Sequence, residues 1–145
     1  MLTYQQLDVI ADSYIPTLFV ISMVILAMDI FKLGFRRKSV EFSSVIISII
    51  IVYFVMMLDN SLRIWPAFDL DYSTHTALSL VFVVYLSSKN KALLILSVLS
   101  FWLYALLMIY QEYHTATDIV STSVVLLPIF WALIHRKTLT KTALS

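Results

Sequence analysis

The sequence predicts an all-α integral membrane protein, folded as a single transmembrane domain over residues 1–145 into a compact bundle of five transmembrane helices. Of its 145 residues, 61% are hydrophobic and only 13% are charged, and the mean hydropathy is +0.92. A soluble domain is about half apolar and about a quarter charged, and a chain this short has too little interior to hide the excess. This composition excludes a soluble enzyme, a disordered chain and a soluble nucleic-acid-binding protein.

Five apolar stretches account for the five predicted spans. A helix needs about 20 residues to cross the hydrocarbon core, so the third stretch is short and the others suffice with their flanks. The stretches are Pro16–Phe31, Phe42–Leu58, Thr74–Leu86, Ala92–Tyr110 and Thr117–Ile134. Pro16 suits the first turn of a helix. We expect residues 1–14 to form an amphipathic or flexible outer segment and residues 135–145 a cytoplasmic tail.

The basic residues indicate the orientation of the spans. If all five stretches cross the membrane, nine of the ten basic residues fall on one side, which the positive-inside rule assigns to the cytoplasm. Arg63 alone falls on the other side. The N-terminus is therefore expected outside and the C-terminus inside, and His135 is interpreted as part of the basic cytoplasmic flank. A bacterial inner membrane is the expected location, with the outer loops facing the periplasm or exterior.

The outer loops, Asp59–Ser73 and Gln111–Ala116, together with the adjoining helix ends hold two of the three histidines and several carboxylates. His114 and Asp118 are four residues apart, so a helix that begins near His114 would place both on one face. A carboxylate there can accept the imidazole N–H and stabilise the charged ring. The spacing equally allows a purely structural pair or a carboxylate that reaches to the interface.

The start of the third stretch has the features of an anion site. Ser73 is a reasonable N-cap, and the free N–H groups of a helix that begins there favour a phosphate. His75 lies one turn into this stretch. Arg63 is the outer cation, and its guanidinium fork suits phosphate. The alternative is that Arg63 pairs with nearby aspartates of the same loop.

These residues resemble motifs of the type 2 phosphatidic-acid phosphatase (lipid phosphate phosphatase) superfamily. Ser73-Thr74-His75-Thr76 is similar to its Ser-Gly-His motif, and His114-x-x-x-Asp118 is similar to its last motif, His-x-x-x-Asp. The sphingomyelin-synthase-like branch is nearer, since its first motif also has an aspartate where Asp69 stands. The motifs are degenerate here. Thr74 replaces the glycine, and Met56 and Met108 stand where the phosphatases carry two of their cations.

The resemblance implies a lipid-phosphate phosphatase or lipid headgroup phosphotransferase acting at the outer membrane face. His114 would be the nucleophile that forms a phosphohistidine, Asp118 would orient and charge it, and His75 would exchange protons with the leaving and entering groups. The residues implied to bind the substrate phosphate are Arg63, Ser73 and Thr74. The implied substrate is a lipid phosphate or phospholipid held in the bilayer. The resemblance implies no metal, no other cofactor and no nucleic-acid partner.

Two alternatives remain open from the sequence. The missing cations and small size also suit a catalytically degenerate family member that acts as a membrane interaction partner. Less expected is a b-type haem or metal site held by His75 and His114. The loss of two cations favours a phosphodiester substrate over a monoester dianion, because the dianion needs the stronger positive clamp. The sequence does not indicate an oligomeric state.

Overall fold

The computed structural model describes residues 3–142, and their side chains as far as His135. Five α-helices follow one another along the chain, with a short 3₁₀ turn at Pro66–Phe68 between the second and third. The helices are α1 Tyr4–Leu33, α2 Phe35–Leu62, α3 Thr74–Ser87, α4 Lys91–Tyr110 and α5 Ala116–Thr142. Residues 3–142 contain no β-strand, which confirms the all-α class.

Four of the helices are long and apolar enough to cross a membrane. They are α1, α2, α4 and the Ala116–His135 part of α5. Large apolar side chains on their outer surfaces are exposed, as Trp102, Leu103 and Leu106 are on α4. An apolar surface of this extent is unfavourable in water and favourable against lipid tails. The chain is a multi-pass membrane protein.

The third predicted span lies at the centre of the bundle. Helix α3 packs against each of the other four helices, and ten of its fourteen residues are buried. Its length is about 21 Å at 1.5 Å per residue, which is less than the hydrocarbon thickness of about 30 Å. The backbone that precedes α3 is extended, and Tyr72 and Ser73 there are buried. Non-helical backbone at membrane depth is tolerated where protein encloses it.

Residues 4–14, expected to form an amphipathic or flexible outer segment, are helical and belong to α1. Helix α1 begins at a capping box, in which the Thr3 hydroxyl accepts from the Gln6 N–H and the Gln6 side chain accepts from the Thr3 N–H. It then continues through Pro16, so Pro16 lies well inside the helix. The Asp8 carboxylate accepts hydrogen bonds from Tyr113 and Gln111 and thereby docks the start of α1 on the loop before α5. Residues 1 and 2 of the predicted segment lie outside the described residues.

The two ends of the bundle are unlike. At the end called inner here, α1 and α2 are separated by Gly34 alone, whose φ of 84° favours glycine. The predicted basic loop after the first span is therefore largely the first turns of α2. Helix α5 likewise continues to Thr142 instead of ending near residue 134, and residues 143–145 lie outside the described part. The end called outer carries the loops that precede α3 and α5.

Candidate functional site

The start of α3 is fixed to α5 through Ser73. The Ser73 hydroxyl accepts from the Thr76 N–H at 3.2 Å, which confirms Ser73 as the N-cap. Its own N–H donates to the Thr122 hydroxyl in α5 at 3.1 Å, and the residue is fully buried. The hydroxyl of Ser73 is thus engaged in the cap, and Ser73 positions the first turn of α3.

Asp118 joins the two outer loops. One carboxylate oxygen accepts from the Asp71 N–H at 2.8 Å. The other accepts from the Thr115 N–H at 2.9 Å and from the Thr115 hydroxyl at 2.7 Å, while that hydroxyl accepts from the Asp118 N–H. The reciprocal pair is a capping box at the start of α5. Asp118 is 4% exposed, so these bonds hold the segment before α3 against the first turn of α5.

The expected hydrogen bond between Asp118 and His114 is absent. Helix α5 begins at Ala116, so His114 precedes it and the premise of one shared helix face is wrong. Nδ1 of His114 is buried and has no hydrogen-bond partner. The sequence contained the signal for the capping box, Thr-x-x-Asp at residues 115–118, which the interpretation of Asp118 as the histidine's partner overlooked.

His75 and His114 nevertheless lie together. Their ring centroids are 6.3 Å apart and the rings are tilted by 56°. His75 is exposed on the first turn of α3, and His114 is half-buried. Burial lowers the pKa of His114, and the nearby His75 adds to this effect while the Asp118 and Asp71 carboxylates oppose it. His114 is therefore neutral around pH 7, with a lone pair on one ring nitrogen.

A cleft of about 400 Å³ opens beside His114. Asp71 and Glu112 line it together with His114 and Asp118, and no lysine or arginine does. Met108, where the resembled phosphatases carry a cation, is 1% exposed and packs in an apolar cluster with Tyr104 and Ile119. The side chains that line the cleft are therefore acidic, while Ala116, the first residue of α5, also lines it and brings the positive end of that helix dipole to the cleft.

The remaining candidates, Arg63 and Thr74, stay accessible. Arg63 ends α2 in the left-handed conformation, with an exposed side chain. It forms no ion pair with any carboxylate among residues 3–135, so the predicted alternative of an aspartate partner is not realised. Asp59 instead accepts from the Trp65 N–H at 2.7 Å. Thr74 is half-buried at the first position of α3.

Groups of three or more potential metal ligands are absent from the part of the chain that the structure describes. His75 and His114 form a pair without a third ligand among these residues. No protein-family model, no curated protein and no solved structure matches the chain.

Proposed function

We propose that the protein is a membrane enzyme that transfers or hydrolyses the phosphate headgroup of a lipid at the outer end of the bundle. The observation that carries this proposal is the approach of two histidine rings to 6.3 Å at the first turn of α3. One imidazole can act as the nucleophile and a second as the proton donor in phosphoryl transfer. A lipid substrate fits the position of the pair, because the headgroup lies at the interface while the tails stay in the bilayer.

His114 is the proposed nucleophile. Its depressed pKa favours the neutral ring, and because Nδ1 is buried, Nε2 is the nitrogen left for phosphorus. As the Nε2–P bond forms, the bond from phosphorus to the leaving alcohol oxygen breaks, and His75 donates a proton to that oxygen. His75 then takes a proton from water or an acceptor alcohol, whose oxygen attacks phosphorus and breaks the N–P bond.

Asp118 is the proposed partner of the Nδ1 proton in the substrate complex. A carboxylate has about four lone-pair positions, and three are used by Asp71 and Thr115. The fourth is the position proposed for the Nδ1–H of His114 in the substrate complex. Arg63 and Thr74 are the proposed phosphate contacts, and Ser73 contributes through the cap that fixes the turn.

The acidic lining of the cleft indicates which phosphate esters fit. Asp71 and Glu112 repel a monoester dianion more than a diester monoanion. A phosphodiester, as in a phospholipid headgroup, is therefore the proposed substrate class. The proposed location of the cleft is the periplasmic or exterior face of a bacterial inner membrane, a proposal that the basic residues at the inner end support through the positive-inside rule.

A second candidate function is a catalytically inactive relative that acts as a membrane interaction partner. The commitment of the Asp118 carboxylate to the α5 capping box favours it, because His114 then has no hydrogen-bond acceptor in place. A haem site has no observation of this kind in its favour.

Purified protein in phospholipid vesicles tests the proposal. The assay is release or exchange of headgroups from a panel of phospholipids and lipid phosphates, with acid-labile phosphate on the protein as the mark of the intermediate. His114→Ala should abolish both signals, and His75→Ala should reduce turnover by about 10²–10⁴-fold. His135→Ala is the matched control, since it removes the histidine at the inner end. The proposed enzymatic function is refuted if wild-type protein turns over no lipid of the panel. It is also refuted if the His114→Ala variant is as active as wild type.

A further inference from the structure

A second polar cavity lies at the inner end of the bundle, on the opposite side from the two histidines. It has a volume of about 550 Å³ and is lined by residues of α1, α2, α4, α5 and the turn before α4. Its lining includes His135, three lysines and two carboxylates, and the lysines and carboxylates together leave one net positive charge. The sequence analysis interpreted these lysines only as a signal of membrane orientation.

Four of these charges neutralise one another in a closed ring. Lys38 contacts Asp29 at 3.1 Å and Glu41 at 2.7 Å, and Lys89 contacts the same two carboxylates at 2.9 and 2.6 Å. The fifth charge is Lys32, which is exposed and forms no ion pair among residues 3–135. Lys32 is thus the cation of the cavity that is free for an external anion.

The first turn of α4 opens on the same cavity. Asn90 and Leu93 both line it, and the Asn90 side chain accepts from the Leu93 N–H at 2.9 Å. The first two N–H groups of the 20-residue helix have no partner within the helix, and the positive end of its dipole lies there. Lys32 and this helix start therefore both favour an anion in the cavity.

An apolar groove continues from this cavity along the seam between α1 and α4. Leu93 lines both the cavity and the inner half of the groove, and Tyr14 and Ser100 line both halves of the groove. The two halves have volumes of about 340 and 240 Å³. From Leu93 to Leu107 the groove follows fourteen residues of α4, about 21 Å at 1.5 Å per residue.

We infer that the cavity and the groove together bind one anionic phospholipid of the inner leaflet. Its phosphate lies between Lys32 and the first turn of α4, and an acyl chain occupies the α1–α4 groove. A soluble anion would leave the groove unused. A zwitterionic headgroup fits less well, because Asp29 and Glu41, which would bind its ammonium, are already paired with lysines. This site is separate from the proposed enzyme site and does not depend on it.

The test is lipid binding by the detergent-solubilised full chain, measured by mass spectrometry of the intact protein during titration with phosphatidylglycerol or phosphatidylcholine. Phosphatidylglycerol should bind as a single copy and more tightly. Lys32→Gln should weaken its binding about fivefold, the effect expected from one lysine near a phosphate. Arg36→Gln is the matched control, because Arg36 is an exposed inner-end cation outside both the cavity lining and α4, and it should change the affinity less than twofold.

The groove has its own matched pair of variants. Ile21→Trp fills the groove and should weaken phosphatidylglycerol binding severalfold, whereas Val24→Trp adds the same bulk to α1 outside it and should not. The inference is overturned if Lys32→Gln and Arg36→Gln have equal effects, which would mean diffuse surface attraction. It is also overturned if the two tryptophan variants bind alike, or if soluble glycerol phosphate displaces the lipid at equal concentration.

Discussion

Asp118 is a buried carboxylate in the first turn of α5 that contacts both loops at the outer end of the bundle. It is buried at the start of an apolar helix, where an ionisable residue is costly and must be paired. Its bonds go to the Asp71 and Thr115 backbone N–H groups and to the Thr115 hydroxyl. Asp118 therefore stabilises the outer end of the bundle, and it makes no hydrogen bond to His114 in this structure.

We predict that Asp118→Asn destabilises the protein as well as lowering any activity. An amide replaces one acceptor oxygen by a donor that faces an N–H group, so the loss should be about 1–3 kcal/mol. Thermal unfolding in detergent measures it, with the exposed Asp69→Asn as the control. An Asp118→Asn variant with the thermal stability of wild type would contradict the tethering role.

His114 should titrate below pH 6.5. Burial is the main cause that lowers its pKa, and the Asp118 carboxylate acts in the opposite direction. Histidine-selective NMR titration, assigned through His75→Ala and His135→Ala variants, measures the value directly. Asp118→Asn should lower the pKa of His114 further, because it removes the opposing charge. A value above about 6.5 in wild type would contradict the prediction.

The lowered pKa of His114 also makes the stability of the fold depend on pH. Because the folded-state pKa lies below the unfolded value of about 6.5, the unfolded chain binds more protons at acid pH. The stability that His114 contributes is therefore complete above about pH 6.5 and is lost as the pH falls. His114→Ala should show a weaker loss of thermal stability in the window below pH 6.5 than wild type does.

At the scale of elements, the inner ends of α1, α2 and α3 are joined by ion pairs. Lys89, just after α3, contacts Asp29 of α1 and Glu41 of α2, and its ammonium lies 4.4 Å from the Tyr85 ring centre. Burial alone would lower the pKa of Lys89, but the hydrogen bonds to both carboxylates outweigh it and raise the pKa. Lys89 therefore stays charged throughout the physiological range.

We predict that Lys89→Met destabilises the bundle by about 1–3 kcal/mol, because both carboxylates are then left to Lys38 alone. The pairs are partly exposed, so solvent screening keeps the loss below that of a fully buried pair. Thermal unfolding in detergent measures it, with the exposed Lys91→Met as control. Adding Asp29→Asn to Lys89→Met should recover part of the loss, and a double variant less stable than Lys89→Met would contradict the ring.

For the molecule as a whole, composition and apolar stretches were enough to predict a membrane protein of five helices. The helix ends and the contacts between distant residues were not predicted. Apolar stretches located all five helices, but the ends were set by local caps, such as Thr3 for α1 and Thr115 for α5. His75 and His114 were expected at the same end of the bundle because both lie in or beside the outer loops, and the structure brings their rings together there. The ring around Lys89 joins residues far apart in the chain, so no local pattern could reveal it.

We predict that the inner end of the bundle faces the cytoplasm, so that the histidine pair faces the opposite side of the membrane. Positive residues are retained at the cytoplasmic side, and the inner end holds the lysine ring with Lys32. Because the chain has no cysteine, single cysteines are clean reporters. Ala67→Cys, in the exposed outer loop, should react with a membrane-impermeant maleimide in intact cells. Ser88→Cys, exposed at the inner end, should react only after lysis, and the reverse pattern would place the histidine pair in the cytoplasm and contradict the predicted orientation.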